Sequence, residues 1–267
     1  AAFSEQSLTP STTLVNDAPA VDLNGSAAGN TVTVSYTESG TPVAIAPQAS
    51  LSDQDSPSLS SALITLSNVQ QGDTLSLSAA VSSSTNITGT YDNQNGSLTL
   101  SGLASVADYE TALRSVTYAN SSNNPSLTPR TLSVSVSDAS NAPSTPASGT
   151  INVVAVNDAP AFSLSAASAV VEDAAATAAN LVIASYSVPV DPENNTVTVD
   201  FSPGTNTSGY YVLDATTREV KLTAAGASFV NGGNVLPAIS LRATDNGTPA
   251  AAFSEQSLTP STTLVND

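Results

Sequence analysis

Hydrophobic and polar residues alternate with a period of two along much of this chain. Thr31-Val32-Thr33-Val34-Ser35-Tyr36 alternates strictly, as do Leu132-Ser133-Val134-Ser135-Val136, Ile151-Asn152-Val153 and Val197-Thr198-Val199-Asp200-Phe201. Successive side chains of a strand point to opposite faces, so each segment predicts a strand with one buried and one wetted face. Antiparallel sheets packed as a sandwich need such strands. Gly, Asn and Pro punctuate them, and Asp92-Asn93-Gln94-Asn95-Gly96 predicts a turn between Tyr91 and Leu98. One segment has the helical period instead. Ser105 and Asp108 form a capping box, and Val106, Tyr109 and Leu113 share one face. Every other apolar run reads as strand. The expected class is all-β: two tandem antiparallel β-sandwiches joined end to end, with one short helix in the first.

The chain also repeats itself. Ala1–Asp17, AAFSEQSLTPSTTLVND, is identical to Ala251–Asp267, an offset of 251 − 1 = 250 residues. A parent with that period is expected. A shorter motif divides it: Val15-Asn16-Asp17-Ala18-Pro19-Ala20 recurs as Val156-Asn157-Asp158-Ala159-Pro160-Ala161 and begins again at Val265. The domains expected are therefore 16–156 and 157–267, joined through short Asn-Asp linkers. Residues 1–15 are expected to be the terminal strand of a preceding repeat, equivalent to a closing strand over 257–265. Pro19 and Pro160 hold the residue before each of them extended.

Composition narrows the chemistry. The chain of 267 residues has no Cys, His, Met or Trp, and its 22 acids against 5 bases give a net charge of −17. Disulfides are excluded, and so are the usual general base and the thiol nucleophile. A paired-carboxylate hydrolase is the catalytic alternative that survives, and it needs two inward carboxylates in a deep pocket. Long-range attraction to nucleic acid or an anionic membrane is excluded by the sign of the charge. No apolar run approaches the ~18 residues of a membrane span. The abundant oxygen ligands and missing soft ligands point to a hard divalent cation.

The acids recur in one order. Domain one has Asn16-Asp17, Glu38, Asp53-x-Asp55 and Asp138; domain two has Asn157-Asp158, Glu172, Asp191-x-Glu193 and Asp245. Loops of a sandwich cluster at two poles, and all these groups are expected at the pole where the linker enters. Such a set would supply six to eight oxygens to each of two or three Ca²⁺ ions. Asp53-Gln54-Asp55-Ser56-Pro57 begins like an EF-hand loop but has Pro57 at a ligand position and no following Gly. Asn-x-Ser/Thr sequons such as those at Asn86, Asn206 and Asn246 are what a chain rich in Asn, Ser and Thr contains by chance.

These residues resemble a known family. Ala243-Thr244-Asp245-Asn246-Gly247-Thr248-Pro249 resembles the Ala-x-Asp-x-Gly-x-Pro signature of cadherin repeats, and Val156-Asn157-Asp158-Ala159-Pro160 resembles their calcium-binding linker. Ala155 stands where that linker has an Asp. Domain one, over nearly all of 15–158, is similar to the cadherin-like repeats of giant RTX adhesins of Gram-negative bacteria. The likeness lies in Tyr36-Thr37-Glu38, Leu51-Ser52-Asp53-Gln54-Asp55, Asn95 to Gly102 and Ala107 to Val116. In domain two Asp191-Pro192-Glu193 replaces the family's Asp-x-Asp. The resemblance implies type I secretion to the bacterial surface, calcium at domain junctions, and a non-enzymatic extender role in an adhesin and biofilms. The partners implied are neighbouring repeats of the same chain, with no nucleic acid and no membrane insertion, and a monomer is expected. The alternatives are a module that binds glycan or protein itself, and homophilic contact between cells.

Overall fold

The structure is a computed structural model and describes residues 15–174, 180–248 and 250–265. The first segment, Ala1–Leu14, expected as a strand of a preceding repeat, lies outside the described residues. The chain divides between Ala155 and Val156 into two compact units.

Unit 1 runs β1 (Ala20–Asp22), β2 (Val32–Thr37), β3 (Val43–Ala44), β4 (Ser50–Ser52), β5 (Ser58–Leu66), β6 (Asp73–Ser76), α1 (Ala79–Thr85), β7 (Thr88–Asp92), β8 (Ser97–Ser105), α2 (Val106–Ser115), β9 (Thr117–Asn120), β10 (Arg130–Asp138) and β11 (Ala147–Val154). One sheet has the order β2-β11-β10-β5-β8-β7, the other β3-β9-β6, and β1 pairs with β4. Strand β10 shows how the pattern makes the sandwich: Arg130, Leu132, Val134, Val136 and Asp138 point inward and are buried, and the residues between them do not. Each fully buried apolar side chain contributes about 1.5–3 kcal/mol. The two sheets meet in one core, where the Tyr36 ring of β2 stands edge-on to Tyr118 of β9 at 5.4 Å. The turn expected over 92–96 closes the β7–β8 hairpin, with Asp92 opposite Ser97.

Helix α2 starts where the capping box places it. The Ser105 hydroxyl accepts the Asp108 N–H at 3.1 Å, and the Asp108 carboxylate receives the Ser105 N–H. Tyr109, Ala112 and Leu113 are its buried residues. The expectation of a single helix needs correcting, because α1 and a helix in unit 2 also form. Helix α1 has no side-chain cap and ends at Asn86 in the left-handed conformation, so only that terminal residue betrays it in the sequence.

Unit 2 runs β12 (Leu164–Ala166), β13 (Val170–Val171), β14 (Val182–Tyr186), β15 (Thr198–Phe201), β16 (Tyr211–Asp214), β17 (Glu219–Leu222), α3 (Ala224–Val230), β18 (Ile239–Thr244), β19 (Phe253–Leu258) and β20 (Thr262–Thr263). Its sheets are β12-β14-β17-β16 and β15-β18-β19, and β13 pairs with β20. Ile183, Val220 and Leu222 of the first meet Ile239, Leu241 and Ala243 of the second in one core. The closing strand expected over 257–265 is split. β19 pairs with β18 and β20 with β13, and Pro260, which has no N–H to give a ladder, lies between them.

Strand polarity decides where the acids fall. β2 runs parallel to β11, and β13 parallel to β20. Glu38, which follows β2, and Glu172, which follows β13, therefore lie at the end where the last strand leaves each unit.

Candidate metal centre

In each unit the linker residues dock on the loop acids of the incoming pole, and they do so in the same way. In unit 1 the Asn16 amide donates to Asp138 Oδ2 at 2.6 Å, and the Asp17 N–H donates to Asp55 Oδ2 at 3.2 Å. In unit 2 the Asn157 amide donates to both oxygens of Asp245, at 3.0 and 3.1 Å, and the Asp158 N–H donates to Glu193 Oε2 at 3.2 Å. The extra methylene of Glu193 does not alter that contact.

Asx-type turns hold the pairs. Asp53 Oδ1 accepts the N–H groups of Asp55 and Ser56, at 3.1 and 2.8 Å. Asp191 Oδ1 accepts those of Glu193 and Asn195, again at 3.1 and 2.8 Å. The late acids are held by the backbone beyond their strands. Asp138 Oδ1 accepts from Ser140 and Ala142, both at 2.8 Å; Asp245 Oδ1 accepts from Gly247 at 2.8 Å and Ala252 at 3.0 Å. The Asn16 amide, with backbone N–H groups after it, holds the Asp138 carboxyl below the usual carboxylate range. Burial pushes Asp245 up, but its bonds from Gly247, Ala252 and Asn157 outweigh that and hold it low as well.

Glu38 and Glu172 are not at this pole, which corrects the expectation that all the acids gather where the linker enters. Each is buried at the opposite end of its own unit. The Glu38 N–H donates to Val154 O at 2.9 Å, and the Glu172 N–H to Thr263 O at 2.9 Å. Val154 and Thr263 are equivalent, each two residues before the Val of a Val-Asn-Asp motif. In unit 2 the Glu172 carboxylate also receives the Val265 N–H at 2.8 Å. The exit Glu thus grips the outgoing chain.

The pole carboxylates suit a hard cation. Asp53 Oδ2, Asp158 Oδ2, Asp191 Oδ2 and Glu193 Oε1 are buried and accept no hydrogen bond from any described residue. None of the ion pairs among the described residues involves them. Buried anionic oxygens left so are costly unless a cation or donor meets them. Oxygens of Asp158 and Glu193 lie within 4.8 Å of each other, the span of two ligands on one Ca²⁺ at 2.3–2.6 Å.

Three further residues escaped the sequence reading. Asn195 supports both Asp191 and Asn157, and its place two after Glu193 was the available signal. Asp73 and Arg130 form a fully buried ion pair at 2.9 Å, which Tyr118 and Asn120 join by hydrogen bonds to Asp73. Burial raises the Asp73 carboxyl, yet bonds from Arg130, Tyr118, Asn120 and Gln70 outweigh it and hold it below its ordinary value. That network is an anchor of the unit 1 core and not part of the pole.

No protein-family model matches the chain, nor does any curated protein sequence. Among solved structures it is similar to Drosophila N-cadherin EC1-4, at 14% identity and a TM-score of 0.43, over 94% of this chain and 50% of that one. It is also similar to mouse Protocadherin-24 EC1-3, at 15% identity and a TM-score of 0.37, over 93% of this chain and 70% of that one. The human Desmocollin-1 ectodomain matches at 12% identity and a TM-score of 0.34, over 94% of this chain and 42% of that one. The chain thus spans half the length of the N-cadherin structure it matches.

Proposed function

We propose that the chain is a calcium-stabilised, non-enzymatic extender segment of a repetitive bacterial surface adhesin, which holds a binding domain elsewhere in the protein away from the cell. The observation that carries this reading is the duplicated pole: in two units of different length the linker Asn donates to the late acid and the linker Asp N–H to the loop pair, beside buried carboxylate oxygens that accept no hydrogen bond from a described residue, on Asp53 in unit 1 and on Asp158, Asp191 and Glu193 in unit 2. Asp17, Asp53, Asp55 and Asp138 would hold the ion in unit 1, with Asp158, Asp191, Glu193 and Asp245 in unit 2. Bound calcium supplies charge neutralisation and no bond-making chemistry. What the chain's own residues do is structural. Asn16 and Asn157 orient the late acids, the Asx turns aim Asp53 and Asp191, and Glu38 and Glu172 fix the outgoing strand ends. Type I secretion and the RTX class rest on the resemblance of domain one alone. Calorimetric titration of the chelated chain with Ca²⁺ tests the reading. Binding with a Kd in the ~10⁻⁴–10⁻³ M range of extracellular modules is expected. Absence of any heat or stoichiometric metal uptake at several millimolar would reject it.

A further inference from the structure

Both linkers carry the same sequence, Val-Asn-Asp-Ala-Pro-Ala, yet their asparagines are seated differently. Asn157 is half-buried. Its amide donates to both oxygens of Asp245 and to Ala250 O at 3.2 Å, and its Oδ1 accepts from Asn195 Nδ2 at 3.0 Å. Asn16 is exposed. Its amide reaches Asp138 and the Asp17 carbonyl, and its Oδ1 receives no hydrogen bond from a described residue.

Two positions differ between the seats: Asn195, which serves Asn157, has Pro57 as its counterpart four residues after Asp53, and the residue two after each late acid is not the same. Ser140 and Gly247 are equivalent: each lies two residues after the acid and gives its N–H to Oδ1 at 2.8 Å. A Cβ added at Gly247 would fall 1.6 Å from Asn157 Oδ1, 2.2 Å from its Cγ and 2.7 Å from its Nδ2. It would overlap the whole carboxamide. Gly247 is not among the glycines with positive φ, so its backbone makes no demand for glycine. Space for Asn157 is the demand.

We propose that Gly247 is a positioning residue that makes the unit 2 linker seat a closed one. The Asn157 linker then docks on unit 2 through the protein's own hydrogen bonds, without a cation. The Asn16 linker sits in an open seat on unit 1 and is held by fewer groups. This inference rests on contacts within each unit and not on the calcium reading, so its test is run in chelator.

Amide hydrogen exchange of the full chain reads it directly. Asp17 and Asp158 have identical neighbours in sequence, so their intrinsic exchange rates are equal and their protection compares without correction. Asp158 is expected to exchange roughly tenfold more slowly than Asp17, as follows from the extra hydrogen bonds to charged and amide groups. Gly247→Ala should remove that difference while the unit 2 melting transition persists. In an Asn157→Gly background, where no carboxamide needs the space, Gly247→Ala should change nothing further. Equal protection of Asp17 and Asp158 in the unmodified chain would overturn the proposal. So would a Gly247→Ala loss of the same size in both backgrounds, since Gly247 would then act on unit 2 generally.

Discussion

Glu193→Gln should stabilise unit 2 without calcium and lose that advantage in calcium. Asp158 and Glu193 place carboxylate oxygens within 4.8 Å of each other. Two like charges at that separation repel by about 1 kcal/mol in bulk water and about 3.5 kcal/mol at an effective dielectric near 20. Both side chains are half-buried, so the lower part of that range applies. The amide removes the repulsion and can still accept the Asp158 N–H that Glu193 Oε2 accepts now. It also offers an NH₂ group near oxygens that have no donor. In chelator the unit 2 transition should therefore rise by roughly 4–8 °C, taking about 1–2 kcal/mol and about 4 °C per kcal/mol for a domain of this size. In calcium the same change removes a charged ligand. A tenfold weaker site loses about 1.4 kcal/mol of the linkage term, which cancels the gain and brings the variant back to about the stability of the unmodified chain. Differential scanning calorimetry of the full chain in both conditions reads each effect, with the unit 1 transition as internal reference. A variant that melts lower in chelator, or shows an undiminished calcium increment, would refute the reasoning.

Other outcomes follow from the same contacts. Asp73→Ala leaves Arg130 buried without its partner and should lower unit 1 stability by about 3–5 kcal/mol, whereas Asp73→Leu with Arg130→Met should recover most of the loss; calorimetry of both variants checks this. Asp73, Asp138 and Asp245 all have depressed carboxyls, so their contribution is present above the ordinary Asp pKa and lost as pH falls through the folded values. The melting temperature should thus hold from pH 7 to about 5 and fall below about pH 4, and a loss beginning at pH 6 would contradict the assignment. Asp55→Ala should leave the far-ultraviolet circular dichroism of the chain unchanged in high calcium while it weakens the calcium response of unit 1. Unfolding in excess calcium would make Asp55 structural instead.

The strands were legible because one face of each sheet is buried, and burial writes a period of two into segments such as 132–136. The helix over 106–115 was legible from its cap. Helix α1 was not, since Ala79–Thr85 is rich in Ser and has no side-chain cap, and α3 gave only Thr223 as a sign. The order of the acids along the chain showed that Asn157, Asp191, Glu193 and Asp245 belong together. It did not show that Glu38 and Glu172 lie at the other pole, because that follows from the parallel pairing of β2 with β11 and β13 with β20. Parallel pairing is a choice of topology, and alternation carries no sign of it. The Asp73–Arg130 pair was hidden for a similar reason: 57 residues separate its members, and only the packing of β6 and β10 into one core brings them together.

The central claim is that divalent calcium occupies these carboxylate poles and holds the folded units. Thermal melting of the full chain in excess chelator, in millimolar magnesium and in millimolar calcium tests it most directly. Binding to the folded state alone at about 10 times Kd contributes about 1.4 kcal/mol per site, so both transitions should rise by roughly 5 °C in calcium and by clearly less in magnesium, which resists dehydration. Superimposable melts in chelator and calcium would contradict the account.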